Sequence, residues 1–211
     1  MVRCESQQST LLMPLMETRR VLLIQGHPDA GGEHLCHALA QAYAAGARSG
    51  GHALRQIDVA RLDFPLLRSQ AEWEHGALPA GLQSAQDDIR WAQHLVLVFP
   101  LWLGEMPALL KAFLEQVARP GFAFGVPGAQ LSGHKGLAGR SARLIVTMGM
   151  PAAVYRWYFL AHGVRSLERS ILDFVGISPV RESFVGLVDR LGTVGVLKWE
   201  RRLQALGQAA S

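Results

Sequence analysis

The segment from Val96 to Val117 constrains the fold most, because its hydrophobic pattern changes abruptly at a proline. The run "HLVLVF" ahead of Pro100 is continuously apolar, as strands are when helices cover both faces of a parallel sheet. After Pro107, which suits the first turn of a helix, apolar residues recur at helical spacing: Leu110, Phe113, Leu114 and Val117. The segment therefore predicts a buried strand, a short loop and an amphipathic helix.

The same alternation of strand and helix repeats along the chain. Short aliphatic runs, "RVLLIQ", "HALRQIDV", "HLVLVF", "ARLIVTM" and "VRESFVGL", predict five strands. Helical patterns separate them or follow the last, over 33–50, 80–93, 106–118, 155–175 and 193–208. Five such units predict an α/β fold with a doubly wound five-stranded parallel sheet and helices on both faces. We expect residues 19–211 to form one domain and residues 1–18 a disordered extension.

Composition narrows the class of protein. No apolar run approaches the roughly 20 residues of a membrane-spanning helix, and the start of the chain is too polar for a secretory signal. Cys4 and Cys36 give no disulfide framework, so we expect a cytoplasmic protein. The net charge of +4 comes from scattered basic residues without a nucleic-acid-binding motif. We therefore expect no nucleic-acid partner, although a positive potential favours an anionic small molecule.

Three unusual turns follow predicted strands: "QGHPDAGGEH", "FPLWLGEMP" and "TMGMPAAVY". They fall on the carboxyl edge of the sheet, where open parallel sheets bind ligands. The first turn carries Gly31 and Gly32 just before a helix, which suits a phosphate, although a plain turn is the alternative. His27 either hydrogen-bonds a phosphate or satisfies local backbone. His34 and His37 lack an evident third ligand, so we predict no metal site.

The second turn exposes an aromatic residue between two prolines. Leu101, Trp102, Leu103 and Gly104 are free to line a ligand there. A flat side chain beside backbone N–H groups suits a planar heteroaromatic ring. The alternative is that Trp102 packs in the core or in a dimer interface.

The third turn also contains a glycine and a proline, which end the strand before it. Thr147, Met148 and Gly149 could contact the opposite edge of the same ring. Tyr155 and His162 follow, and such a pair can donate hydrogen bonds or protons to a reduced oxygen. The alternative is that Tyr155 packs internally and His162 lies on the surface.

The motifs "GHP", "FPLWLGEMPALLKAFLEQV" with "GFAF", and "TMGMPAAVY" resemble the flavodoxin-like NAD(P)H:quinone oxidoreductase family, which includes bacterial quinone reductases and potassium-efflux ancillary oxidoreductases. The resemblance covers most of Arg20 to Leu206. It implies a flavodoxin-like sheet of order 2-1-3-4-5 and a non-covalent FMN or FAD at the carboxyl edge, usually at a homodimer interface. It also implies NAD(P)H as co-substrate and ping-pong hydride transfer to a quinone or similar acceptor.

The resemblance also assigns site residues by position. It implies a flavin phosphate site at His27, Gly31, Gly32, Glu33 and His34. It implies ring-binding loops at Pro100, Leu101, Trp102 and Leu103, and at Thr147, Met148, Gly149 and Met150. Tyr155 and His162 are similar in placement to a catalytic pair near the acceptor. The chain departs from the pattern at Gly32 (Ser or Thr in several members), His34 (Asn) and Met150 (Gly).

Two other functions compete with this hypothesis. A regulatory or ancillary partner of a membrane transporter of the potassium-efflux type could share the fold and keep or lose activity. A one-electron flavodoxin carrier is the third class, but the net charge of +4 and the Trp102 loop argue against it.

Overall fold

The computed structural model describes residues 17–125 and 135–211. Its centre is one five-stranded sheet in the order β2-β1-β3-β4-β5, and every neighbouring pair is parallel. The strands are β1 (Arg20–Gln25), β2 (Ala53–Asp58), β3 (His94–Pro100), β4 (Arg140–Thr147) and β5 (Ile177–Val185). The predicted doubly wound fold and its strand order 2-1-3-4-5 are confirmed.

Helices follow the strands in the predicted alternation. The α-helices are α1 (Leu35–Ser49), α2 (Gln70–His75), α3 (Gln83–Trp91), α4 (Ala108–Val117), α5 (Ala152–Trp157), α6 (His162–Ser166), α7 (Asp173–Val175) and α8 (Gly192–Gln208). Short 3₁₀ turns lie at Val59–Arg61, Ala80–Leu82 and Val188–Arg190. A π-helical stretch, Leu167–Leu172, joins α6 to α7.

The strands alternate their side chains between two cores, one on each face of the sheet. In β1, Leu22 and Ile24 enter a first core with α3, α4 and the helical segment 162–175. Val21 and Leu23 enter a second core with α1 and α8. Burial on both faces explains why the strands are continuously apolar, as predicted for helices on both sides.

Helices α1 and α8 approach each other through glycines. A Cβ on Gly46 would lie 2.0 Å from the carbonyl oxygen of Gln204, and one on Gly207 would lie 2.2 Å from that of Tyr43. No side chain fits at such distances. The final amphipathic helix of the chain is therefore held against the first by direct backbone packing.

Two elements begin differently from the prediction. Strand β5 starts at Ile177 rather than Val180, ahead of Pro179, which an edge strand tolerates because its outer N–H groups have no ladder partner. Helix α2 lies between the predicted strand "HALRQIDV" and the predicted helix 80–93, where the sequence pattern indicates only a connection over 64–79. Its Ser69 side chain accepts a hydrogen bond from the N–H of Glu72 at 3.1 Å, so "SQAE" is a helix-start motif that the pattern analysis missed.

The predicted helical segment 155–175 is interrupted. Helix α5 ends at Trp157, and the chain resumes as α6 at His162. Leu160 and Ala161 between them have φ values of 54° and 48°, a left-handed conformation that cannot continue a helix.

Two expectations concern residues largely outside the described ranges. The predicted disordered extension 1–18 overlaps them only at residues 17 and 18. The glycine-rich segment 122–139, which the sequence predicts to be an active-site or interface loop, is described only at its two ends. Within the described ranges, no helix combines the length and apolar character needed to cross a membrane.

Candidate functional site

The three predicted turns meet at the carboxyl edge of the sheet. The N–H of Gly26 donates to the carbonyl of Val98 at 2.8 Å, which ties the first turn to β3. The N–H of Leu101 donates to the carbonyl of Thr147 at 2.7 Å, which ties the second turn to the end of β4. The convergence follows from the strand order, because β1, β3 and β4 are adjacent.

The first turn is ordered by its own side chains. The N–H of His27 donates to Gln25 Oε1 at 3.1 Å. Asp29 accepts from the N–H of Gly31 at 2.8 Å, and its other oxygen lies 2.8 Å from His34 Nε2. Gly32 has a φ of +80°, which favours glycine at this position. The loop is therefore held in shape before any ligand arrives.

Three imidazoles cluster at this turn. The rings of His27 and His34 stack with centroids 4.0 Å apart, and the ring of His37 lies 5.4 Å from His27 and 5.5 Å from His34. His27 is buried, and this burial, followed by the neighbouring His34 and His37, lowers its pKa. The cluster supplies several ring N–H groups at one turn, and such donors suit an anion.

The start of α1 offers further donors. His34 is the N-cap residue, and among the described residues no side chain caps this end of the helix and no acidic residue lies in its first turn. An uncapped helix start has free N–H groups and a partial positive charge. With the imidazole cluster, this donor set fits the phosphate of a flavin.

The second turn is a tight reversal that presents Trp102. The N–H of Trp102 donates to the carbonyl of Glu105 at 2.9 Å, and the N–H of Glu105 donates back at 3.0 Å. Leu103 and Gly104 between them have φ values of 50° and 85°, as in a type I′ turn. Trp102 is 51% exposed and lies edge-on to His27 at 6.2 Å. The indole therefore stands beside the imidazole cluster, outside both cores of this chain.

The third turn presents main-chain atoms rather than side chains to a ligand, because the side chains of Thr147 and Met148 are buried. Met148 is buried in the first core, and Thr147 Oγ1 lies 3.1 Å from the thiol of Cys36. The carbonyls of Met148 and Met150 accept from Val188 and Leu187 at 3.2 and 3.1 Å. Gly149, by contrast, is exposed, so the turn presents a small residue at the edge.

Tyr155 and His162 lie near the second turn but differ in access. Tyr155 is fully buried; its hydroxyl donates to the carbonyl of Gly104 at 3.1 Å and accepts from the N–H of Val164 at 3.2 Å. Burial raises its pKa. His162 is exposed, and its Nδ1 lies 3.0 Å from the carbonyl of Phe159. The pair is close, with ring centroids 6.4 Å apart, yet His162 alone reaches solvent.

Two cavities bear on the site. One of about 240 Å³ lies beside the first turn, lined by Gln25, Ala30, His37, Asp58 and Arg61 among others. A larger one, of about 580 Å³, lies away from the turns between α2, α4 and the helical segment 162–175. The smaller cavity adjoins the candidate site at the first turn, through Gln25, Ala30 and His37, and no residue of the second or third turn lines it.

Three residues at and beside the first turn have roles that the sequence did not predict. Gln25 and Asp29 position the loop, and His37 completes the imidazole cluster. Asp29 could have been found, since Asp two residues before a glycine is a typical Asx-turn. The stacking of His27 on His34 depends on side-chain torsions that no sequence spacing indicates.

Sequence comparisons identify relatives among quinone reductases and efflux ancillary proteins. The human "Ribosyldihydronicotinamide dehydrogenase [quinone]" is 35% identical over 148 residues, covering 64% of this chain and 61% of the relative. The potassium-efflux ancillary protein KefG of Escherichia coli is 42% identical over 67 residues, covering 31% of this chain and 33% of KefG. The chain thus spans about six tenths of the human relative's length.

Solved structures share the fold at low identity. An NAD(P)H:quinone oxidoreductase from Methanothermobacter marburgensis matches with a TM-score of 0.75 and 20% identity, over 91% of this chain and 96% of that one. An FMN-dependent NADH-azoreductase from Bacillus anthracis, in complex with FMN, matches with a TM-score of 0.68 and 15% identity, over 90% and 98%. The family model described as "Flavodoxin-like fold" matches residues 19–197. The resemblance predicted from the three motifs is confirmed, and the chain belongs to the flavodoxin-like fold family.

Proposed function

We propose that the protein is a flavin-dependent NAD(P)H oxidoreductase that reduces quinones or similar acceptors by a ping-pong mechanism. The observation that carries this proposal is the meeting of an uncapped helix start, an imidazole cluster and an exposed indole at one edge of the sheet. These groups suit the anionic and the aromatic parts of one ligand.

The relatives support the reaction class. The human relative is named for a nicotinamide-type donor and a quinone acceptor, and one structural neighbour is named an NAD(P)H:quinone oxidoreductase. The azoreductase neighbour holds FMN. Because the match covers only 61% of the human relative, the evidence for the activity of this chain has to come from the residues of its own site.

Different residues of the site would hold the phosphate and the ring of the cofactor. His27, His34 and the N–H groups at the start of α1 would hold the phosphate. Gly31 and Gly32 give the main chain room to approach it, and Glu33 would contribute its main chain rather than its carboxylate. Trp102 and the turns at 100–103 and 147–150 would flank the ring. The flavin, FMN or FAD, supplies reversible two-electron chemistry when bound. The protein orients both substrates and excludes water.

Tyr155 and His162 take different roles in this proposal. The exposed imidazole of His162 is able to donate a proton to an acceptor oxygen. Tyr155, whose hydroxyl joins Gly104 to Val164, would fix the second turn in place. The catalytic assignment of Tyr155 therefore requires its hydroxyl to exchange an internal hydrogen bond for one to substrate.

A homodimer is part of the proposal. Four consecutive apolar residues, which we call the aromatic ridge, are exposed between α5 and α6: Trp157, Tyr158, Phe159 and Leu160. A contiguous apolar surface of this kind marks an interaction site. The ridge adjoins His162, so a second copy seated on it would border the acceptor site.

The alternative is an ancillary protein of a membrane transporter of the potassium-efflux type, a function favoured by the local identity to KefG. Co-purification with an integral membrane transporter, without turnover of NAD(P)H and quinone, would support that reading instead. Cytoplasmic location remains a prediction under both functions.

The absorbance spectrum of the purified protein, reconstituted with FMN or FAD, tests the proposal directly. We expect a flavin spectrum that bleaches with NADPH or NADH and recovers with benzoquinone. Trp102→Ala should weaken flavin retention about three- to tenfold through lost aromatic contact, whereas Trp199→Ala, on α8, should not. A protein that stays colourless with both flavins would refute the proposal.

A further inference from the structure

A second polar cavity lies at the opposite edge of the sheet. Its volume is about 470 Å³, and it lies among the amino ends of β1, β3, β4 and β5 and residues 209–211. His94, which lines it, is the first residue of β3, whereas Pro100 in the second turn is the last. A strand of this length separates the two by roughly 20 Å, so the cavity is distinct from the candidate flavin site.

Three arginines line this cavity without an acidic partner. Arg19, Arg140 and Arg181 form no salt bridge within residues 17–125 and 135–211, and Glu17 is the one acidic side chain on the described lining. Ser211 also lines the cavity, and its carboxyl oxygen accepts from Nε of Arg143. Arg140 is fixed by donating to the main-chain carbonyls of Ile89, Ala138 and Arg90 at 3.2, 3.3 and 2.7 Å. Its charge is thus positioned but not neutralised.

A buried histidine with one unpartnered ring nitrogen lies at this cavity. His94 is 2% exposed, and its Nδ1 lies 2.8 Å from Ser141 Oγ. Its Nε2 has no hydrogen-bond partner in the described part of the chain. Burial and then the nearby Arg143, Arg19 and Arg181 lower the pKa of His94 to about 3. The imidazole is therefore neutral at pH 7 and lies in a positive potential.

These features select one class of ligand. Cations are repelled by the arginines, and an apolar ligand would leave the serine, histidine and arginine donors unsatisfied. Guanidinium groups match the paired oxygens of phosphates and carboxylates. We propose that this cavity, the amino-edge site, binds a small multivalent oxyanion of the phosphate or polycarboxylate class through Arg19, Arg140, Arg181 and Ser141.

Calorimetric titration of the full chain with pyrophosphate and, separately, with citrate tests the proposal. We expect saturable binding of at least one of them, with affinity that falls as NaCl is raised. Arg181→Gln should weaken it about tenfold, the loss of one charge-assisted hydrogen bond, and Arg181→Lys should recover part of it. Arg201→Gln, an exposed arginine on α8, is the matched control and should stay within about twofold.

A second variant separates this site from the flavin site. His34→Asn alters the first turn at the other edge of the sheet and should leave anion binding unchanged. If His34→Asn abolishes anion binding and Arg181→Gln does not, the anion occupies the candidate flavin phosphate site and the inference is wrong. Absence of any saturable binding of either anion would also overturn it. A melting temperature that rises more with pyrophosphate in the wild type than in Arg181→Gln would support it by linkage.

Discussion

The imidazoles of the first turn make phosphate affinity depend on pH. His27 has a lowered pKa because it is buried beside His34 and His37, and a phosphate bound against its ring would favour the protonated form. Lower pH supplies that proton. We expect FMN to bind about tenfold more tightly at pH 6.5 than at pH 8, one charged contact's worth of free energy, measured by quenching of flavin fluorescence.

Riboflavin, which lacks the phosphate, is the matched ligand control and should show a flat profile over the same range. His27→Asn should reduce the pH dependence of FMN binding, whereas His75→Asn, at the exposed end of α2, should leave it intact. Parallel profiles for FMN and riboflavin would show that the cluster does not contact the phosphate.

Tyr155 carries a stability prediction as well as a catalytic one. Removing its hydroxyl in Tyr155→Phe leaves the N–H of Val164 and the carbonyl of Gly104 without their partner. We expect a loss of about 1–3 kcal/mol in the free energy of unfolding, measured in urea, and slower acceptor turnover with little change in flavin binding.

Tyr158→Phe, on a side chain that is exposed in the single chain, is the control for stability and should leave the free energy of unfolding unchanged. A Tyr155→Phe variant as stable as the wild type would mean that water replaces both hydrogen bonds. Equal turnover would assign the hydroxyl to packing alone.

Among the helices and strands, the sequence predicted the elements whose hydrophobic pattern follows from burial. The runs at β1 and β3 were found because both faces of these strands are covered. Elements that depend on local contacts were missed or displaced. Helix α2 has no buried residue and is held by its Ser69 cap. The break after α5 depends on two non-glycine residues in a left-handed conformation, and the identities of these residues do not predict that conformation.

Gly46 supplies a prediction about helix packing. In Gly46→Ala the added methyl group would lie 2.0 Å from a backbone oxygen of α8, so the two helices must separate. We expect the free energy of unfolding to fall by about 2 kcal/mol, since overpacking outweighs the gain in helix propensity.

Gly195→Ala in α8 is the matched control, because its nearest neighbour is the flexible side chain of Leu191. It should be neutral or stabilising by up to about 1 kcal/mol. A stable Gly46→Ala protein would show that α8 shifts without cost and that the close approach is not required.

For the whole molecule, topology explains how much of the site was predictable. Adjacent parallel strands bring the turns after β1, β3 and β4 to one edge, so their meeting follows from the strand order alone. The chemistry within each turn does not follow from it. The stacking of His27 on His34 and the inward hydroxyl of Tyr155 depend on torsions set by tertiary packing.

The aromatic ridge leads to a prediction about assembly. Trp157, Tyr158 and Leu160 are 76%, 79% and 57% exposed in the single chain, and burying such side chains against a second copy removes apolar surface from water. We expect the wild type to sediment at twice the mass of one chain. Trp157→Lys should shift it to the monomer, because a charge would be placed in the interface.

Val194→Lys is the matched control, since Val194 is 81% exposed on α8, away from the ridge in sequence. It should leave the dimer intact. A Trp157→Lys monomer that keeps its flavin but loses acceptor turnover would show that the second copy completes the acceptor site beside His162. If the wild type sediments as a monomer, the predicted dimer is wrong and the aromatic ridge does not join two copies of this chain. The acceptor site would then be formed by one chain alone.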